Sequence, residues 1–168
     1  MLWHRTLTAA LLVIVLLAGC GGDDTGPQTK EGFISAADAV CEDIFSEIAQ
    51  ARSAQPRTPQ EVAAANDELA DAYERLADRL SAVQLPESGA ARRQAQEFVA
   101  SVRATEPVLD RLRAASQRFV EAASAGDRQA VSQAGNDVRS ALDAFRSARA
   151  TSDRLAVRYG LDFCGNLG

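Results

Sequence analysis

Residues 58–84 read TPQEVAAANDELADAYERLADRLSAVQ, and this stretch carries the clearest structural signal in the chain. Thr58 suits the N-cap of a helix, Pro59 suits the first helical position, and Glu61 completes a capping box with Thr58. Apolar residues then recur at a spacing of three or four, at Val62, Ala65, Leu69, Ala72, Leu76, Leu80 and Val83. The stretch therefore predicts an amphipathic helix with one buried face.

The same spacing recurs in three other segments of the chain. The predicted helices cover about residues 33–52, 58–84, 90–124 and 127–159. No segment shows the sustained alternation of apolar and polar residues that is typical of a strand. Because the links between the helices are short, we expect an all-α protein, an antiparallel four-helix bundle with up-down-up-down connections.

Pro107 lies in the middle of the third predicted helix. A proline inside a helix removes one hydrogen bond and clashes with the preceding turn, so it kinks or breaks the helix. The apolar positions keep one register on both sides of Pro107. This favours one helix bent at Pro107 over two separate helices.

The chain begins with an apolar run, Leu7 to Leu17, that is followed by Ala18, Gly19 and Cys20. The run is shorter than the ~20 apolar residues that a membrane-spanning helix needs, and it ends in small residues, as signal peptides do. The four residues Leu17-Ala18-Gly19-Cys20 resemble the lipobox of bacterial lipoproteins. The alternative is an ordinary secretory signal that happens to contain a cysteine.

The lipobox resemblance implies that the chain is cut before Cys20 and that the sulfur of Cys20 carries lipid. Residues 1–19 are then a cleaved signal peptide, and residues 20–32 are the lipidated cysteine and a flexible, Gly-rich tether. Residues 33–168 form the helical-bundle domain. The expected location is the cell membrane, with the protein held by lipid on its extracytoplasmic side.

Charge and composition limit the function classes. The net charge of the whole sequence is −5, and it becomes about −6 once the leader with its one Arg is removed. Nucleic-acid binding is disfavoured, because it needs a basic surface. His4 and Trp3, the one His and the one Trp, both lie in the leader. The mature chain therefore lacks the commonest general base and metal ligand, and we expect no enzyme activity and no cofactor.

Cys41 and Cys164 remain once Cys20 is assigned to lipid. Disulfides persist outside the cytoplasm, so we expect a bridge between the start of helix one and the C-terminal tail. A redox pair or a metal site is the alternative. Both are disfavoured, since the two cysteines lack C-x-x-C spacing and no His is left to complete a zinc site.

Two short motifs surround these cysteines. Asp38-Ala39-x-Cys41 near the start and Tyr159-Gly160-Leu161-x-x-Cys164-Gly165 at the end resemble motifs of small, uncharacterised helical lipoproteins of actinobacteria. The resemblance covers about residues 33–165, and it implies no activity.

Two groups of charged residues are candidates for a binding role. The acidic group is one line on helix two, Asp67, Asp71, Glu74 and Asp78. It could hold a divalent cation or a basic partner, but a solvated face is favoured because calcium sites usually fold a loop around the ion. The basic group comprises Arg111, Arg118, Arg139, Arg146, Arg149, Arg154 and Arg158. It could bind an anionic polymer, but pairing with helix two is favoured.

The expected function is a non-enzymatic interaction or scaffolding module of the cell envelope. Its partners would be the membrane, through the lipid on Cys20, and an envelope protein or a cell-wall component. The alternative is a lipoprotein that binds a solute or a lipid. Its cavity would lie at the Pro107 kink, beside Phe98, Val102 and Leu109.

Overall fold

Five helices make up most of the chain that the structure describes. The computed structural model describes residues 29–52, 55–87 and 89–165. The helices are α1 (Lys30–Arg52), α2 (Pro59–Ala82), α3 (Gly89–Arg103), α4 (Glu106–Ala125) and α5 (Arg128–Tyr159). No strand occurs within these ranges, so the all-α class is confirmed. The expected leader, Cys20 and the tether as far as residue 28 lie outside the described residues.

The start of α2 follows the pattern of its sequence. The Thr58 side chain accepts a hydrogen bond from the Glu61 N–H at 3.2 Å, and the Glu61 carboxylate accepts from the Thr58 N–H at 3.0 Å. The same carboxylate also accepts from the Arg57 N–H at 2.6 Å. These backbone donors hold the pKa of Glu61 below its ordinary value. The predicted capping box is confirmed.

The third predicted helix is two helices, α3 and α4, with Ala104 and Thr105 between them. Pro107 has no N–H to donate to the carbonyl of Arg103. The Thr105 carbonyl instead accepts from Val108 and Leu109, at 3.0 and 3.1 Å, and starts a new helix. The expected single bent helix was therefore wrong, because an unbroken apolar register does not require an unbroken run of hydrogen bonds.

The helices pack around a core that is rich in alanine. α4 packs against α5 and α2, α1 packs against α2, and α3 packs against α5 and α2. Many core side chains are small, which lets the helices approach closely. Fully buried alanines include Ala37, Ala70, Ala77, Ala95 and Ala156. Among the described residues, no helix is long and apolar enough to cross a membrane.

The C-terminal tail is fixed to the first turns of α1. Cys41 and Cys164 form a disulfide with their Cα atoms 5.3 Å apart, as the sequence predicted. One turn before Cys41, the Asp38 carboxylate accepts hydrogen bonds from three consecutive backbone N–H groups, those of Asp162 (3.0 Å), Phe163 (2.9 Å) and Cys164 (3.2 Å). The two short motifs of the sequence therefore meet and form one clamp.

The structure explains why two positions of the tail motif are glycine. Gly160 ends α5 with φ of 98°, a conformation that residues with a side chain rarely adopt. At Gly165 a Cβ atom would lie 2.6 Å from Val157 Cγ2 and 3.0 Å from the carbonyl oxygen of Leu161. The tail can pass this close to the end of α5 only because residue 165 has no side chain.

Candidate functional site

A cleft between α1, α2 and α5 has a volume of about 690 Å³. Its floor consists of apolar side chains from the three helices, namely Ile48, Leu69, Ala72, Leu142 and Phe145. Most of these are buried, and Leu142 is half-buried. Cavities of this size are typical of binding sites for small molecules and of grooves that receive a partner's side chains.

The rim of the cleft carries three arginines and three carboxylates. Each arginine contacts a carboxylate: Arg75 contacts Glu47 at 2.9 Å, Arg146 contacts Asp143 at 2.7 Å, and Arg149 contacts Asp153 at 3.2 Å. The other rim carboxylates are Glu68 and Asp71. A rim with balanced charges suits a ligand or partner that presents an apolar surface bordered by polar groups of both signs.

One buried polar contact lies at the α2 side of the cleft. The Asn66 side-chain amide donates to the Ser116 hydroxyl at 2.9 Å, and both residues are buried. Since buried polar groups need partners, this bond between α2 and α4 fixes the relative position of the two helices. It supports the wall of the cleft.

The acidic line of α2 is engaged by an arginine from another helix. Asp71 and Glu74 both accept hydrogen bonds from Arg113 of α4, and Asp110 lies 3.5 Å from the same guanidinium. Glu74 and then Asp71 raise the pKa of Arg113 further above its ordinary value. In the described part of the chain, no three His, Cys, Asp or Glu residues are placed to hold a metal ion.

Arg113 is a residue that the sequence reasoning missed. Three of the basic residues expected to pair with helix two contact carboxylates elsewhere. Arg118 contacts Asp137 of α5 at 3.7 Å, and Arg146 and Arg149 contact carboxylates of their own helix. No sequence signal separates Arg113 from its neighbour Arg111. Only the packing of α4 on α2 brings Arg113 onto the acidic line.

The region of Pro107 has little free space. Phe98, Val102 and Leu109 are buried. The void beside Phe98 and Val102 is about 10 Å³, enough for about one water molecule. Of these two spaces, the cleft is the one with room for a small organic molecule.

Two buried hydroxyls have no hydrogen-bond partner among the described residues, those of Ser152 and Tyr159. Ser152 lines the small void beside Phe98. Tyr159 packs edge-on against Phe33, with ring centroids 5.5 Å apart, and Lys30 lies over its ring at 4.9 Å. Burial, and then the charge of Glu31, raise the pKa of Tyr159.

No protein-family model matches the chain, and no curated protein or solved structure matches it significantly. A function for this chain is therefore argued from the residues of the cleft, from the ion pairs and from the sequence Leu17-Ala18-Gly19-Cys20.

Proposed function

We propose that this protein is a lipid-anchored, extracytoplasmic, non-enzymatic binding module of the cell envelope. The anchor is lipid on Cys20, and the support for it is the apolar leader that ends in Leu17-Ala18-Gly19-Cys20. Two or more acyl chains give stable attachment to a membrane without a spanning helix. The described helices are then held close to the membrane surface.

We further propose that the helices form an antiparallel up-down-up-down bundle in which α3 and α4, joined by Ala104 and Thr105, together are the third member. Contacts between helices support this arrangement. Arg79 pairs with Asp43 and Arg75 with Glu47, so residue numbers fall along α1 as they rise along α2. The contacts of α2 with α3 and α4 follow the same rule, and they are Ser81–Arg103, Glu74–Arg113 and Asn66–Ser116.

The observation that carries the binding function is the cleft between α1, α2 and α5. An amphipathic helix of an envelope protein would place its apolar face on the floor around Leu69 and Phe145. Its polar flanks would meet the rim, where Arg75 and Arg146 offer positive charge and Glu47 and Glu68 offer negative charge. The balanced rim therefore favours a helix with both signs of charge beside its apolar face.

Site-specific photocrosslinking tests this interaction in intact cells. A photoreactive phenylalanine analogue replaces Leu142, which lines the cleft, and a matched control replaces Ser147, which is exposed on α5 outside the cleft. The expected result is an envelope protein crosslinked from position 142 and absent from position 147. Equal products from both positions, or none from position 142, would contradict the proposal.

The volume of the cleft supports a second candidate function, the binding of a solute or a lipid. About 690 Å³ falls within the range of sites for small organic molecules. Native mass spectrometry of the gently purified mature protein would then show an added mass that denaturation removes. Leu142→Trp, which fills the cleft, should abolish that mass, and Ser147→Trp should preserve it.

Anchoring has a separate test. Cys20→Ser removes the sulfur that would carry lipid. The variant should lose the mass of the lipid and move from the membrane fraction. A wild-type protein without lipid mass would contradict the anchoring part of the proposal and leave the binding part to the crosslinking experiment.

A further inference from the structure

Two large apolar side chains are exposed in the described part of the chain, Val157 at 58% and Phe163 at 49%. Both lie between residues 157 and 165, at the end of α5 and in the tail that follows. Val157 Cγ2 lies beside the backbone of Gly165, two residues after Phe163. Single exposed apolar residues are ordinary, but their restriction to one end of the molecule needs a reason.

The exposure of Phe163 does not come from a loose tail. The Phe163 N–H donates to the Asp38 carboxylate at 2.9 Å, and the next residue, Cys164, is bonded to Cys41. The clamp therefore holds the Phe163 backbone in place while half of its side chain faces solvent. If the tail were free to move, we would expect the Phe163 ring to pack against the domain and leave the solvent.

The end that carries these side chains is also the end from which the N-terminal segment leaves. α1 begins at Lys30, and Lys30 lies over the ring of Tyr159, the last residue of α5. Residues 20–29 join Cys20 to this point. Even when fully extended, ten residues reach at most about 35 Å.

We infer that this end of the domain, which we call the tail end (residues 157–165 with the first turn of α1), rests on the bilayer. Val157 and Phe163 enter the boundary between headgroups and acyl chains. The inference rests on the proposed lipidation of Cys20. The short tether gives the tail end a high effective concentration at the surface, so two apolar side chains are enough to orient the domain.

The charges at the tail end are consistent with a lipid surface. The tail end contains two basic residues, Lys30 and Arg158, and two acidic residues, Glu31 and Asp162. Long basic side chains can keep their charge at the level of lipid phosphates while an adjacent aromatic ring lies deeper. The balance of charges means that apolar contact, and not net charge, drives the insertion.

A tryptophan placed at the tail end tests the inference. The mature chain has no Trp, because Trp3 lies in the expected leader. The full chain carrying Phe163→Trp, and a matched chain carrying Gln133→Trp, are expressed in a bacterium that processes lipoproteins. Gln133 is exposed near the start of α5, about 40 Å of helix from Tyr159. Each protein is placed in vesicles of phosphatidylcholine and phosphatidylglycerol, with and without brominated acyl chains.

The expected result is that bromine quenches most of the fluorescence of Phe163→Trp and leaves that of Gln133→Trp unchanged. Mass spectrometry of the same samples reads the lipid on Cys20. A lipidated protein in which neither Trp is quenched overturns the orientation and leaves the anchor intact. Quenching of both overturns it as well, since the domain then lies flat on the membrane. A protein without lipid overturns the anchor and this inference together.

Discussion

The clamp between Asp38 and the tail gives a prediction that can be worked out from individual hydrogen bonds. Replacing Asp38 by Asn leaves the size of the side chain almost unchanged, but it removes the charge and one of the two acceptor oxygens. Three backbone N–H groups now point at that carboxylate, from Asp162, Phe163 and Cys164. The side-chain amide of the Asp38→Asn variant would therefore point its own N–H groups at backbone N–H groups, so that donors face donors.

The size of the effect follows from the exposure of these donors. Hydrogen bonds to a charged group contribute ~1.5–3 kcal/mol each when they are well buried. Here the N–H groups of Asp162 and Phe163 are exposed and that of Cys164 is partly buried, so water replaces much of the loss. We expect Asp38→Asn to lower the free energy of unfolding by about 2 kcal/mol in total. For a chain of this length the melting temperature should fall by about 5 °C.

Thermal unfolding of the mature, oxidised protein, followed by circular dichroism, measures this effect. The control is Glu42→Gln, which removes an exposed carboxylate one turn further along α1. An Asp38→Asn protein that melts with the control and the wild type would refute the reasoning. A second arm repeats the substitution after removing the disulfide with Cys41→Ala and Cys164→Ala. Because both features hold the same tail, their effects should not add.

Three further predictions concern other parts of the molecule. The stabilisation that Glu61 provides should be complete above its ordinary pKa of 4.5 and should be lost as the pH falls through its lowered value. Glu61→Gln should remove this pH dependence, which acid titration of unfolding at fixed temperature would show, and unchanged acid sensitivity would contradict it. Arg113→Met should lower the free energy of unfolding by about 1–3 kcal/mol, because it leaves two α2 carboxylates without their shared partner. In the same denaturant titrations Arg111→Met, on the exposed side of the helix, should change the free energy of unfolding little. Equal losses in the two variants would contradict the assignment of Arg113. Gly135→Ala should stabilise the protein by about 0.5–1 kcal/mol, because the added methyl group meets only ordinary contacts in a helix interior. Gly165→Ala should destabilise it. Calorimetry that finds a change of the same sign for both variants would contradict this prediction.

Local signals in the sequence predicted the ends of the helices well. Thr58 and Glu61 form the predicted capping box, and the helix predicted over about 127–159 is α5 (Arg128–Tyr159), which Asp127 caps and Gly160 ends. These predictions succeed because a cap depends on residues within about four positions of one another. The disulfide was predictable for a different reason, since two cysteines remained and only one pairing was possible.

Two other features could not be predicted from local sequence signals. The break between α3 and α4 depends on which carbonyl the chain uses to restart hydrogen bonding, and the Thr105 carbonyl does this. The sequence signal was the register of apolar positions, which continues across the break. The role of Asp38 was hidden as well, because its three partners lie more than a hundred residues away in the chain.

The sequence by itself determined which segments are helical, which face of each helix is buried and which cysteines can pair, because these depend on short-range spacing and on composition. Only the tertiary structure decided where the cleft lies and which charges meet. The width of the cleft is the separation of α1 and α5 that remains after the core side chains have packed. The spacing of apolar residues along a helix does not specify that separation. Likewise Arg113 rather than Arg111 meets Asp71, because the rotation of α4 on α2 turns one guanidinium inward.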